Sequence, residues 1–240
     1  MKDILRIIKF DYYVAAPTAL PATLLSIFVV SIVSLLAFPG ASSYLAFVAM
    51  AFVIPLQGAA EKKGFARIYG VLPVKRENIT RARFVYIFLA HFSMEIIGII
   101  MAVISILLKL NRFLPDKASV LVEVAEENYS FHTFMNFGMC VGAFAVFCII
   151  FSYMEMAGQI FGRENEMKIL LISLAVSIAV IFGYGALSTH GFLPMINFDK
   201  MTDMSIKKCI IISVGSNILT AVLCVIFGLI TTKAVSKREI

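Results

Sequence analysis

The sequence predicts an all-α membrane protein with six transmembrane helices, and three observations support that fold class. Hydrophobic residues make up 60% of the 240-residue chain, against about 45–50% in soluble domains. Long segments contain no Asp, Glu, Lys or Arg at all, the first being Tyr12–Ala60. These segments are long enough to cross a hydrocarbon core about 30 Å thick, which takes about 20 residues of helix. Their apolar residues are continuous rather than alternating, which favours helices over barrel strands.

The ends of the charge-poor runs place the six helices. Tyr12–Ala60 is too long for one crossing, and Pro39–Gly40 supplies a turn near its middle. The other runs are Phe84–Leu108, Asn128–Met154, Ile169–Phe198 and Cys209–Thr232. Only the first of these four contains a charged residue, Glu95. The predicted helices lie near residues 18–38, 43–60, 82–108, 133–156, 168–188 and 208–232.

Residues 1–16 are predicted to form an amphipathic helix that lies in the membrane interface and leads into the first span. Basic side chains occupy one face of this helix and apolar side chains occupy the other. The two sets are Lys2, Arg6 and Lys9, and Ile4, Leu5, Ile8 and Tyr12. The alternative to an interfacial helix is that these residues form a frayed cytoplasmic tail. Pro17 and Pro21 are expected in the first turns of the span, where proline costs least.

The distribution of Lys and Arg orients the chain. With both termini in the cytoplasm, fifteen of the 21 Lys and Arg lie on the inner side and six on the outer side, as the positive-inside rule requires. Residues 61–78 are then a cytoplasmic loop, and residues 109–132 and 188–207 are extracytoplasmic loops. No repeat or soluble segment interrupts the pattern, so we expect one transmembrane domain over 1–240. The excess of Lys and Arg on the inner side explains the net charge of +6 without a nucleic-acid partner. This charge favours contact with anionic lipid head groups.

The sequence contains no pattern typical of catalysis or metal binding. The four cysteines fall within predicted helices without a C-x-x-C pair, and we interpret them as small apolar groups. They are Cys140, Cys148, Cys209 and Cys224. No G-x-x-x-x-G-K-[ST] loop and no H-E-x-x-H motif occurs, so neither ATP binding nor zinc proteolysis is expected of this chain. We predict no catalytic residue, no metal ligand and no cofactor here.

His91 and Glu95 are the candidate pathway residues. They are four residues apart in the third predicted helix, so they share one face and come within reach of each other. An ionisable group at that depth faces the bundle interior or an aqueous path. Two interpretations stay open: a polar lining of a translocation route or proton site, and a hydrogen-bonded pair that locks this helix against a neighbour.

Three further residues have predicted structural roles. Glu155 lies near the cytoplasmic end of the fourth helix, where its carboxylate is expected to reach water. Gly138 and Gly142 form a G-x-x-x-G step in that helix, which lets another backbone approach closely. We expect this contact to form within the subunit.

The loop after the second helix combines positive charge with an apolar stripe. Residues 62–84, KKGFARIYGVLPVKRENITRARF, hold seven of the 21 Lys and Arg. Four apolar residues recur at i, i+3, i+4 and i+7, the spacing of one helical face: Phe65, Ile68, Tyr69 and Leu72. Lys63 and Arg67 lie on the opposite side. Pro73 ends this short helix, and Asn78 or Thr80 is predicted to cap the next one.

An apolar stripe of this size is expected to be buried against another apolar surface. The membrane interface, the protein's own helix ends and a groove on a partner are the three candidates. The last would suit a transporter whose energy comes from a separate cytoplasmic ATPase.

This segment resembles the loop after the second helix in permease subunits of bacterial type 2 ATP-binding-cassette exporters. In that family a short helix leads into the pattern Leu-Pro-Val-x-Arg-x-x-Ile-x-x-(Ala/Gly)-Arg-(Tyr/Phe). The matching residues are Leu72, Pro73, Val74, Arg76, Ile79, Ala82, Arg83 and Phe84. IFGRENEMKILL, after the fourth helix, resembles a second family stretch, with Phe161, Gly162, Met167 and Lys168 in the corresponding places. Six spans and inside termini also fit.

The resemblance implies a permease subunit in the bacterial plasma membrane, working as a pair with two copies of an ATPase subunit that binds ATP and Mg²⁺. The pair would be a homodimer or this chain with a related one. Glu61–Leu72 would be the coupling helix, with Phe65, Ile68, Tyr69 and Leu72 as anchors on the ATPase. Lys75 and Arg76 would add charge complementarity to the ATPase or to lipid. The expected cargo is an amphipathic peptide, drug or lipid. The alternatives are a membrane sensor or anchor subunit, and a proton-coupled secondary transporter that uses His91 and Glu95.

Overall fold

The computed structural model describes residues 2–36, 43–61, 75–108, 134–189 and 206–237, and the regular structure in these residues is helical. Apart from one short 3₁₀ turn at 43–44, it consists of six α-helices, each overlapping one predicted span. They are α1 (Lys2–Leu36), α2 (Leu45–Glu61), α3 (Arg76–Leu108), α4 (Phe134–Phe161), α5 (Arg163–Thr189) and α6 (Ile206–Ser236). The predicted helical fold is therefore confirmed.

Four of these helices contain segments long and apolar enough to cross a membrane. The segments are Glu77–Ile104, Val141–Phe161, Met167–Tyr184 and Ile210–Ser236. They make the fold compatible with a multi-pass membrane protein. The crossings by α1 and α2, and the inside location of the termini, stay predictions.

Helix α1 is continuous from the predicted interfacial segment into the predicted first span. It passes through both Pro17 and Pro21, so the prediction that these prolines lie in the first turns of a helix is wrong. Interior prolines are tolerated in membrane helices when neighbouring groups satisfy the freed carbonyls. The orientation of residues 1–16 in the interface stays a prediction.

Helix α3 lies at the centre of the bundle and packs against α1, α2, α4 and α6. Two apolar clusters fill the interior around it. The first contains Leu45, Ala46, Val48, Ala49, Met94 and Phe144, and the second contains Val53, Ile87, Cys148, Phe151 and Cys224. Several buried positions are alanines, which suits a membrane bundle, because small residues let helix backbones approach and gain van der Waals contact.

Helix α3 begins earlier than the caps predicted from the sequence. The carbonyl of Lys75 accepts hydrogen bonds from the backbone N–H groups of Asn78 (2.9 Å) and Ile79 (3.4 Å), so Lys75 occupies the N-cap position. Asn78 and Thr80 lie inside the helix, and their prediction as caps is wrong. Thr80 instead directs its hydroxyl towards α4, where it donates to Gln159 Oε1 at 3.2 Å.

Helices α4 and α5 are joined through the single residue Gly162. Its φ of +93° lies in the left-handed region, which glycine adopts without steric cost. The Gly162 N–H donates to the carbonyl of Gly158 at 3.1 Å, the bond typical of a helix that ends on a left-handed residue. A Cβ added here would also lie 2.6 Å from Glu164 Oε1. The turn therefore explains why glycine stands at this position.

The contact between α4 and α6 gives a direct test of the fold. Cys148 Sγ and Cys224 Sγ are buried and 3.7 Å apart. In a variant with Cys140 and Cys209 replaced by Ala and a protease site inserted within 190–205, copper–phenanthroline oxidation is expected to join the two thiols. After cleavage the fragments then stay together on a non-reducing gel and separate on reduction. Adding Cys224→Ser is the control. Fragments that separate without reductant would contradict the packing of α4 on α6.

Candidate functional site

Two groups of buried and half-buried polar side chains connect α3 to its neighbours, and each group connects it to a different helix. The Glu95 pair consists of Glu95 and Asn217 and joins α3 to α6. The Arg83 cluster consists of Thr80, Arg83, Glu155 and Gln159 and joins α3 to α4. Buried polar groups are costly in an apolar surrounding unless they are hydrogen-bonded, so the bonds within these two groups help to keep Glu95, Arg83 and Glu155 inside the bundle.

Asn217 holds the Glu95 side chain in place. Its Nδ2 group donates to Glu95 Oε1 at 2.9 Å and to the backbone carbonyl of Ser213 at 3.0 Å. These bonds use both hydrogens of the amide and fix its orientation. Glu95 lies well inside the apolar segment Glu77–Ile104, and only 3% of the residue is exposed. The carboxyl group is therefore held at a fixed point on the α3–α6 contact.

His91 has different partners from Glu95. Its Nδ1 lies 2.9 Å from the carbonyl of Ile87; because a carbonyl only accepts, Nδ1 carries the hydrogen. The ring is buried and lies 5.9 Å from the ring of Phe151 on α4. Its Nε2 has no hydrogen-bond partner among the described residues. The structure thus gives His91 and Glu95 separate partners, and the lock between α3 and a neighbouring helix is made by Glu95 with Asn217.

The Arg83 cluster contains a buried ion pair. Arg83 Nη1 lies 2.9 Å from Glu155 Oε1, and the same oxygen accepts a 2.6 Å hydrogen bond from Gln159 Nε2. Glu155 is 2% exposed, so the prediction that its carboxylate reaches water is wrong. The reason is that α4 continues to Phe161, about one turn past the predicted end at 156, and places Glu155 inside the bundle against Arg83.

A groove of about 450 Å³ lies between α3 and α6 beside the Glu95 pair. Glu95 and Asn217 line it, together with the rings of Phe88 and Phe92, which stack with centroids 5.6 Å apart. Ile96 and Ile218, also in its lining, are exposed on the outside of the described helices. The groove therefore combines a carboxyl group, an amide and two aromatic rings with an apolar rim.

The remaining predicted site residues are only partly described. Phe65, Ile68, Tyr69 and Leu72 lie outside the described residues, as do almost all of the loops 109–132 and 188–207. Lys75 is exposed and Arg76 opens α3. Gly138 and Gly142 both lie in α4, but a Cβ at Gly142 would meet nothing within 4 Å. A close helix contact at Gly142 is therefore not found in the described part of the bundle.

Residues in the ranges that the structure describes form no cluster of three or more His, Cys, Asp or Glu side chains suited to a metal ion. Cys148 and Cys224 are buried beside Ser152, whose hydroxyl lies 3.2 Å from Cys224 Sγ. Apolar side chains of α2, α3 and α4 pack around the two thiols. The site chemistry here is hydrogen bonding and ion pairing.

Several site residues were missed at the level of sequence. Asn217 carries no formal charge, so a search for charge-free runs passes over it, although an amide inside an apolar run was a usable signal. Arg83 was noted only as part of a motif. Asp11 on α1 is completely buried, although the pattern of residues 1–16 predicts only a basic and an apolar face. For Asn217 the usable signal was one polar residue in an apolar run, whereas Arg83 stands among other charged residues that mask it.

Comparisons with protein-family models, with curated proteins and with solved structures give no match for this chain. The function is therefore inferred from the residues of this chain and their contacts.

Proposed function

We propose that this protein is the membrane-spanning permease subunit of an ATP-driven exporter of the type 2 ATP-binding-cassette class. Two copies, or this chain with a related one, form the pathway in the bacterial plasma membrane. A separate cytoplasmic ATPase binds ATP and Mg²⁺ and docks on the helix over Glu61–Leu72. The cargo is an amphipathic molecule, in keeping with an apolar bundle that holds few charges.

One observation carries the proposal. Helix α3 begins at Arg76, within the segment that resembles the family's coupling region. Arg83, which belongs to the same sequence pattern, forms the buried ion pair with Glu155 of α4. A displacement of the loop would therefore reach α3 at its first turns and pass to α4 through a short charged contact. This is the connection that a permease driven by an external ATPase needs.

The mechanism follows from this connection. Closure of the paired ATPases on ATP pushes the stripe of Phe65, Ile68, Tyr69 and Leu72, and the start of α3 moves with it. The Arg83 cluster makes α4 follow, and the Glu95 pair makes α6 follow. The helices then rock between two arrangements whose balance is set by nucleotide. Residues of the Glu95 region, His91 among them, line the route.

Co-purification with an ATPase tests the proposal. The tagged chain is expressed with the neighbouring genes of its own genome, extracted in mild detergent and isolated. We expect a nucleotide-binding subunit to co-elute in equal number, and its ATPase activity to change when the permease is present. A chain that elutes alone, from cells that contain the ATPase, would contradict the proposal.

The buried carboxyl group of Glu95 favours one alternative, a secondary transporter in which this residue carries a proton. Transport measurements on the same preparation distinguish the secondary transporter from the ATP-driven exporter. Uptake or export in vesicles that contain this chain alone, driven by a proton gradient, would support the secondary transporter. Transport that requires ATP and the second subunit would support the exporter.

A further inference from the structure

The groove between α3 and α6 has chemistry that neither apolar packing nor a simple helix lock requires. A neutral amide pair would hold two helices together as well as a carboxyl group does, and without the cost of placing an ionisable group at this depth. The Glu95 carboxyl group instead lies in the lining of a groove whose volume, about 450 Å³, falls in the range of small-molecule sites.

We propose that this groove is a binding site for an amphiphilic organic ammonium ion, entered sideways from the bilayer between α3 and α6. The ammonium group would pair with the Glu95 carboxylate, while its apolar body would lie along the rim formed by Ile96, Val214 and Ile218. The inference rests on the proposed function, because it takes the bound ammonium ion to be the cargo of the exporter. It further specifies that this cargo is positively charged and that it enters from the bilayer.

The walls of the groove complement a cation. The carboxylate of Glu95 supplies the opposite charge, and ion pairs of this kind are strongest where water is excluded. The rings of Phe88 and Phe92, which stack on each other, also line the groove, and aromatic rings attract ammonium groups. Helix α6 carries no Lys or Arg between Lys208 and Lys233, so no cationic side chain of that helix lies in the span beside Glu95. An occupying cation would supply a counter-charge that α6 does not.

The rim of the groove complements an apolar chain. Ile96, Val214 and Ile218 are among the exposed large apolar side chains of the described helices, and all three line the groove. In a bilayer these side chains meet lipid, so an amphiphile dissolved in the membrane reaches the groove without crossing water. A bound lipid tail alone would use the rim but would gain nothing from the carboxyl group. The charge of Glu95 therefore favours an ammonium ion over a neutral chain.

Tryptophan fluorescence provides the test. The chain contains no Trp, so Phe92→Trp introduces a single reporter that keeps an aromatic ring in the groove wall. This background is placed in nanodiscs of phosphatidylcholine and titrated with dodecylamine, and separately with dodecanol as the neutral probe of equal chain length. Because both probes dissolve in lipid, affinities are compared as mole fractions in the bilayer.

Glu95→Gln is the decisive variant, since the Gln side chain has nearly the same shape and can still accept the bond from Asn217. We expect it to weaken dodecylamine binding at least about tenfold and to leave dodecanol binding unchanged. Glu95→Asp, which retains the charge, should preserve the preference for the amine and covers the case in which Glu95→Gln fails to fold. Circular dichroism and size-exclusion profiles check the fold of each variant.

Three results would overturn the inference. The first is unchanged dodecylamine affinity in Glu95→Gln, which would leave Glu95 a helix lock. The second is equal affinity for dodecylamine and dodecanol, which would make the groove a lipid-tail contact. The third is the absence of a saturable signal together with cross-linking of Ile218→Cys between two copies, which would make the groove a subunit interface.

The binding assay needs no ATPase, so its failure is distinct from failure of the proposed function. Amine binding without a co-purified ATPase would leave the site standing and remove its role in export. A co-purified ATPase without amine binding would leave the exporter standing and remove this site.

Discussion

Replacement of Arg83 by Met is expected to lower the free energy of unfolding by about 3–5 kcal/mol, the effect of removing one partner from a buried ion pair. Met fills a similar volume but leaves the Glu155 carboxylate inside the bundle without its counter-charge. Gln159 donates one hydrogen bond to that carboxylate, which offsets little of the loss. Unfolding is followed in mixed micelles as the denaturing detergent is increased, with helical circular dichroism as the signal.

Arg81 provides a matched control on the same helix. It forms an ion pair with Glu77 at 3.6 Å, and both side chains are about half exposed. Because exposed pairs of this kind contribute about 0–1 kcal/mol, Arg81→Met is expected to have little effect. The double variant Arg83→Met with Glu155→Leu removes both charges and should recover most of the stability lost in Arg83→Met. Equal effects of Arg81→Met and Arg83→Met would show that the Arg83 cluster is not a buried unit.

The same variants also test the proposed transmission of movement. If Arg83 passes displacement from the loop to α4, the double variant should remain folded and keep its ATPase subunit, yet lose ATP-driven export. Full export by a folded double variant would remove the Arg83 cluster from the mechanism. The stability result would stand in either case, since it depends only on burial of the ion pair.

Replacing Phe65 and Tyr69 together by Ala is expected to weaken ATPase binding at least about 100-fold, because large buried side chains at the centre of an interface each contribute about 2 kcal/mol or more. Both residues belong to the predicted apolar stripe of the coupling helix. The measurement is the dissociation constant of the detergent-purified permease for the immobilised ATPase. The stripe, rather than the basic charges around it, is expected to determine the affinity.

The opposite face of the same predicted helix supplies the control. Lys63→Ala with Arg67→Ala removes two charges but no residue of the stripe, so affinity at physiological salt should change little. A large loss in this control with little loss in the Phe65 and Tyr69 variant would assign the contact to charge and not to the stripe. Equal binding by all variants would place the ATPase contact elsewhere on the chain.

The sequence was sufficient to locate the helices, because apolar runs of the right length have few alternatives in a membrane protein. Every predicted span overlaps one helix, whereas the predicted turn at Pro39–Gly40 lies outside the described residues and stays a prediction. Helix ends were less predictable. Position 162 shows why: the break between α4 and α5 depends on one left-handed glycine, whereas the change in hydropathy on which the prediction relied occurs several residues away.

The candidate site was harder to predict, because its contacts join residues far apart in the chain. Arg83 and Glu155 are 72 positions apart, and Glu95 and Asn217 are 122 apart. Charge and depth identified Glu95 as unusual, but nothing local indicated that its partner would be an amide on α6. The spacing of His91 and Glu95 suggested a pair with each other. The backbone carbonyl of Ile87, one turn earlier on α3, takes the His91 hydrogen instead.

Helix α5 packs mainly on α4 and follows it after a single glycine, and most of its described side chains point away from the bundle. The hydroxyl groups of Tyr153 on α4 and Ser173 on α5 form a hydrogen bond of 2.7 Å between the two helices. Substitutions on the outer face of α5 therefore have few neighbours inside the subunit to disturb. A spectroscopic label attached to this face would therefore leave the packing of the subunit undisturbed.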